Sequence, residues 1–119
     1  MGRGTGAIDG AVHRALPDVY PRVRERLARL GRIDTLVTPA WEGGHADHDA
    51  CAALTCRLAA DLGVPNVLQF SLYHGAGLRW RFFRAVAPLA ENGPVERRPL
   101  ARRELLRWAA GVRHFPSQL

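Results

Sequence analysis

Asp34-Thr35-Leu36-Val37-Thr38-Pro39, followed at once by Trp41-Glu42-Gly43-Gly44-His45-Ala46-Asp47-His48-Asp49, is the stretch that decides the fold of this chain. The first part is short and apolar, as a strand is. The second gathers two histidines and three carboxylates around paired glycines, and an alanine-rich apolar run comes after it. That order predicts strand, loop and helix, with the polar groups collected at the carboxyl end of the strand. In open α/β sheets, ligand and metal sites are built at that rim.

Downstream of the loop, Cys51, Leu54, Leu58 and Leu62 recur at helical spacing, with Asp47 or Asp49 as the expected cap. Gly63 and Pro65 end that helix, and Asn66 to Leu72 reads as a second strand. The span from Asp34 to Leu72 is therefore a strand-helix-strand unit, of the kind that pairs in parallel. Upstream, Val19, Val23, Leu27 and Leu30 predict an amphipathic helix packed on the sheet, capped by Asp18 and stopped by Gly31. The glycines before it, Gly2, Gly4 and Gly6, follow no strand and precede no Lys-Ser/Thr, which excludes a phosphate-binding loop.

Beyond the second strand, Tyr73-His74 and the glycines 75 and 77 stand at another strand's carboxyl end. Leu78 to Leu89 fits an edge strand as well as a helix, because arginines and aromatics alternate through it. Glu91-Asn92-Gly93-Pro94 is a turn, and Pro99 opens a last helix with Leu105, Leu106 and Trp108 on its apolar side. The whole is an α/β chain forming one domain over residues 1–119.

Composition is that of an ordinary globular protein, 47% hydrophobic and 24% charged. All 17 basic residues are arginine, and against 11 acids they leave a net charge of +6. Such a balance raises nucleic acid as a partner. Against it, the arginines are scattered along the whole chain, and the lack of lysine points to a coding bias. The two cysteines, Cys51 and Cys56, do not face each other on a helix, so reduced thiols in a cytoplasmic protein are expected. No apolar run reaches the roughly 18 residues of a membrane span, and the amino terminus lacks a signal peptide's apolar stretch.

His45 and His48 are three apart, so both leave the first turn of a helix together. A catalytic zinc takes about three protein ligands and an open position. This window offers imidazoles, Asp47, Asp49 and, one turn on, Cys51. The bland alternative is a solvated surface loop with an aspartate cap, and for Cys51 a place in the core.

The run Glu42-Gly43-Gly44-His45-Ala46-Asp47-His48-Asp49-Ala50 resembles the second signature of the PIG-L/LmbE-like deacetylases, usually Glu-Gly-Gly-His-Pro-Asp-His-Asp-Ala. The similarity extends upstream through Thr38-Pro39 to Ile8-Asp9-Gly10 and downstream through Phe70-Ser71-Leu72-Tyr73-His74. The resemblance implies a partial Rossmann-like parallel sheet with flanking helices. It also implies zinc-dependent removal of an acetyl group from an N-acetylated sugar or similar amide. By resemblance His48 is a metal ligand, and His45 stabilises the tetrahedral oxyanion. Asp47 orients that histidine, and Asp9 and Glu42 contact substrate. Ala46 replaces the usual proline. The family's first signature, Ala-His-Pro-Asp-Asp-Glu, supplies the remaining zinc ligands and the general base, and nothing here matches it. Ala15-Leu16-Pro17-Asp18-Val19 looks like a decayed copy without the donors. The chain thus reads as an internal piece of such an enzyme, truncated at both ends, with an incomplete metal site. A different reading is a non-catalytic module that binds nucleic acid or another polyanion through Arg79-Trp80-Arg81-Phe82-Phe83-Arg84.

Overall fold

The computed structural model describes residues 10–78, 83–112 and 114. It is a mixed α/β arrangement in which a small parallel sheet is flanked by helices. Strand β1 (Thr35–Pro39) pairs in parallel with β2 (Asn66–Phe70), in register from Thr35 opposite Asn66 to Pro39 opposite Phe70. Helix α2 (Ala46–Leu62) connects them. A parallel pair needs such a crossover, because a tight turn returns the chain antiparallel.

Alternation along the strands decides which face is covered. Thr38 is buried and Leu36 and Val67 half-buried, whereas Val37 and Leu68 between them are exposed. Ala50, Ala52, Leu58 and Ala59 of α2 supply most of the buried core, and their small side chains allow close approach to the strands. Gly63 ends α2 in the left-handed conformation (φ 65°) that favours glycine. The amides of Gly63 and Val64 turn back to the carbonyls of Ala60 and Ala59, satisfying two groups that the last turn leaves open.

Helix α1 (Val12–Ala28) begins well before the Asp18 start that local signals favour, and it packs chiefly along α2 rather than on the sheet. Two differences from the sequence reading have physical causes. Pro17 and Pro21 sit inside the helix, four apart on its exposed side, where the carbonyls they leave unpaired face water. Among the described residues, the N-cap position Ala11 gives the helix start no side-chain cap. It is held instead by the carboxylate of Asp47, from the far end of the unit. Along the same helix pair, the Tyr20 hydroxyl donates to Asp61, which Arg57 also reaches at 2.9 Å.

Beyond the sheet, β3 (Tyr73–His74) and β4 (Arg84–Ala85) form a short antiparallel pair, and Ala90–Asn92 makes a single 3-10 turn. Within the Leu78 to Leu89 stretch, Arg84–Ala85 is strand, the edge-strand alternative over those two residues, and the other described positions carry no regular structure. Arg79-Trp80-Arg81-Phe82, most of the arginine-aromatic run, lies outside the described residues. The chain continues to α3 (Arg102–Val112), close to the expected last helix. No helix of the described residues is long and apolar enough to cross a membrane.

Candidate functional site

The loop between β1 and α2 is built by hydrogen bonds from its own carboxylates. Asp49, in the first turn of α2, accepts from the amides of Glu42 and Gly43 at 2.9 and 3.1 Å with one oxygen, Oδ1. This folds the loop back onto the helix start, where a negative charge is also favoured by the helix dipole. Glu42 reaches the other way. Its buried carboxylate accepts from the Ser71 hydroxyl at 2.6 Å and from the Leu72 amide at 2.8 Å. The loops after the two paired strands are thereby tied together at their shared carboxyl rim. Each Glu42 oxygen accepts one hydrogen bond from the protein, so this residue clamps the two loops together.

Gly44 shows how close the packing is. A Cβ there would run into the backbone carbonyl of Tyr73. Only glycine lets the loop lie against β3, and that contact brings Tyr73 to the histidine pair.

His45 occupies the N-cap of α2 with extended backbone (φ −152°, ψ 125°). Its Nδ1 accepts the amide of Asp47 at 3.2 Å, a task usually given to Ser, Thr, Asp or Asn. An imidazole nitrogen that accepts holds no proton, so neutral His45 carries its proton on Nε2. It therefore presents an N–H donor. The His48 ring lies 4.7 Å from the His45 ring, centroid to centroid, tilted by 34°. It meets the edge of Tyr73 at 5.6 Å, and Tyr73 in turn meets Phe83 at 5.4 Å. Among the described residues no hydrogen bond engages the His48 ring nitrogens. The result is a half-exposed imidazole pair at the carboxyl rim of β1, walled on one side by aromatic rings.

Asp47 is placed differently from the sequence-based expectation. Its carboxylate does not touch His45. It is buried and receives the amides of Gly10 (2.6 Å) and Val12 (2.9 Å), with His13 Nδ1 at 4.0 Å. Only its backbone N–H orients His45. His13 was not singled out by sequence reasoning, because its partner lies 34 positions away and no local pattern marks it. Asp9 lies outside the described residues. Cys51 is half-buried, and burial followed by the nearby Asp47 charge pushes its thiol pKa up. That is the opposite of what a ready thiolate ligand requires.

The donor set can be tested against zinc directly. Asp47 is committed to two amides, and Asp49 Oδ1 to two others. His45 Nδ1 is occupied by the helix cap. Of the two loop imidazoles, His48 alone has both nitrogens without a hydrogen-bond partner among the described residues, against about three ligands for a catalytic zinc. Among the described residues, no group of three or more His, Cys, Asp or Glu side chains is arranged to hold a metal ion. The residues present do not fit a complete zinc site. In comparison with known proteins, no family model, curated sequence or solved structure matches this chain.

Proposed function

We propose that this chain carries the oxyanion-binding part of an amide-hydrolase site, of the zinc-dependent N-deacetylase type resembling the PIG-L/LmbE-like enzymes. Its substrate would be an N-acetylated sugar or a similar small amide. On this reading β1, α2 and β2 belong to a Rossmann-like parallel sheet. The observation that carries the proposal is the His45–His48 pair at the carboxyl rim, with His45 Nδ1 accepting the Asp47 amide.

Attack on an acetamide carbonyl turns its oxygen into an oxyanion, and a preorganised N–H donor stabilises that charge as it develops. His45 has the proton on the correct nitrogen and is held by the helix it caps. His48, whose ring nitrogens have no hydrogen-bond partner among the described residues, suits the metal-ligand role that the resemblance gives it. The described donors do not complete the implied zinc site, so no chemical step is assigned to the metal. The family's remaining ligands and base lie in a signature that this sequence does not contain.

The test is acetate release from N-acetylated amino sugars, with zinc present, by the chain and by the chain extended with an upstream His-Pro-Asp-Asp segment. Turnover by either form, lost on His45→Asp and on His48→Ala, supports the proposal. Turnover that survives both substitutions overturns it, as does the absence of turnover from both forms.

A further inference from the structure

Two apolar surfaces have no partner among the described residues. The first is the sheet face opposite α2, where Val37, Leu68 and Phe70 are 65%, 58% and 45% exposed. Register places Val37 beside Leu68, with Phe70 following along β2, so these side chains form one continuous patch. The second is the apolar side of α3. Leu105, Leu106 and Trp108 are exposed there, Trp108 by 73%, and no described helix or strand packs extensively on α3. By helical spacing Arg103 and Arg107 lie on its other side, while Arg102, three and four residues before Leu105 and Leu106, stands at the end of the apolar side.

We infer that the two surfaces cover each other between two copies of the chain, α3 of each protomer lying across the β1–β2 face of its partner. Geometry within one chain favours this occupant. The segment 93–101 leading to α3 is exposed and without regular structure, and Pro94 and Pro99 keep it extended. Its start is pinned where Asn92 Nδ2 donates to the Trp41 carbonyl at 2.8 Å. The helix is thus joined to the sheet unit by an extended segment, and no described strand packs extensively on it. Exchange of such an element between identical chains is a low-cost route to a dimer. From their exposed fractions, the six side chains offer on the order of 700 Å² per copy. Reciprocal pairing would bury about 1,400 Å² in all, within the range of stable specific interfaces.

The experiment is sedimentation equilibrium on the full chain and on the variants Leu68→Arg and Trp108→Glu, alone and mixed. The expected result is a dimer for the native chain and a monomer for each variant alone. Mixing the two variants restores association, because one of the two crossed contacts then joins an intact α3 to an intact sheet face. A native chain that stays monomeric at high micromolar concentration overturns the inference. This holds whether its Trp108 is shielded from acrylamide (α3 folded onto its own sheet) or inserts into anionic phosphatidylserine vesicles. A native dimer with no recovery on mixing overturns it as well.

Discussion

His45 caps the helix that carries His48: its Nδ1 accepts the Asp47 amide at 3.2 Å, one turn before the second imidazole leaves the same helix. Structure and chemistry therefore draw on the two nitrogens of one ring, and substitution separates them. His45→Ala removes the cap and is expected to cost about 1 kcal/mol. His45→Asp keeps a good cap and loses only the N–H donor, so its stability should stay within about 0.5 kcal/mol of the native chain. Chemical denaturation checks both values. Long-range ¹H–¹⁵N spectra of the imidazoles should show the His45 proton on Nε2.

The glycine pair makes two different demands. Gly44→Ala drives a Cβ into the Tyr73 carbonyl, which is backbone and cannot swing aside. A loss of about 3 kcal/mol is expected. Gly43→Ala meets nothing, but sits at φ 68°, so about 1 kcal/mol of conformational strain is expected. Thermal unfolding of the two variants should rank them in that order.

Asp47 holds the start of α1 through the amides of Gly10 and Val12. Asp47→Ala leaves those donors and the helix dipole uncompensated, at a cost of about 2 kcal/mol. Hydrogen exchange at Val12 should speed up before exchange at Leu58 does. Equal acceleration at both would show that the carboxylate supports the whole fold rather than one helix end.

Thr38 is buried at the carboxyl end of β1, and its hydroxyl has no hydrogen-bond partner among the described residues. Thr38→Val keeps the shape and removes the unpaired group. It should stabilise the chain by about 1 kcal/mol, read as a rise in denaturation midpoint.

Two titrations have a definite sign. The Tyr20 hydroxyl, and then Arg57, hold the Asp61 carboxyl below its ordinary pKa. A depressed folded-state pKa contributes stability that is present above the unfolded value and lost as pH falls through the folded one. Tyr20→Phe should therefore lessen the loss of stability in acid below about pH 4, measured by urea unfolding across that range. In the opposite sense, burial and Asp47 push the Cys51 thiol pKa up, while Cys56 is exposed. Alkylation near pH 8 should mark Cys56 first, and Cys51 should react only as pH rises further.

Sequence made the β1–α2–β2 unit legible because its signals are local. Helical spacing, Gly63 as a stop and short apolar runs need no knowledge of distant residues. The start of α1 was not legible for the converse reason. Its anchor, Asp47, lies across the chain, and the local candidate Asp18 is exposed within the helix. The same distance hid the task of the Asp47 carboxylate, whose position in the histidine loop suggested service to His45. The ties of Glu42 to Ser71 and Leu72 were not legible either, because motif position carries no information about partners so far along the chain. The pair β3–β4 spans two residues a strand, too short for any periodicity to register.

Pairing Thr35 with Asn66 has a kinetic consequence. The two strands meet only after the whole of α2 has been traversed, so their ladder closes a long loop before it gains a single contact. Helical turns form locally and far sooner than such closure. Assembly should therefore begin in the alanine-rich crossover, and changes within it should slow refolding, whereas changes at the strand ends should mainly hasten unfolding.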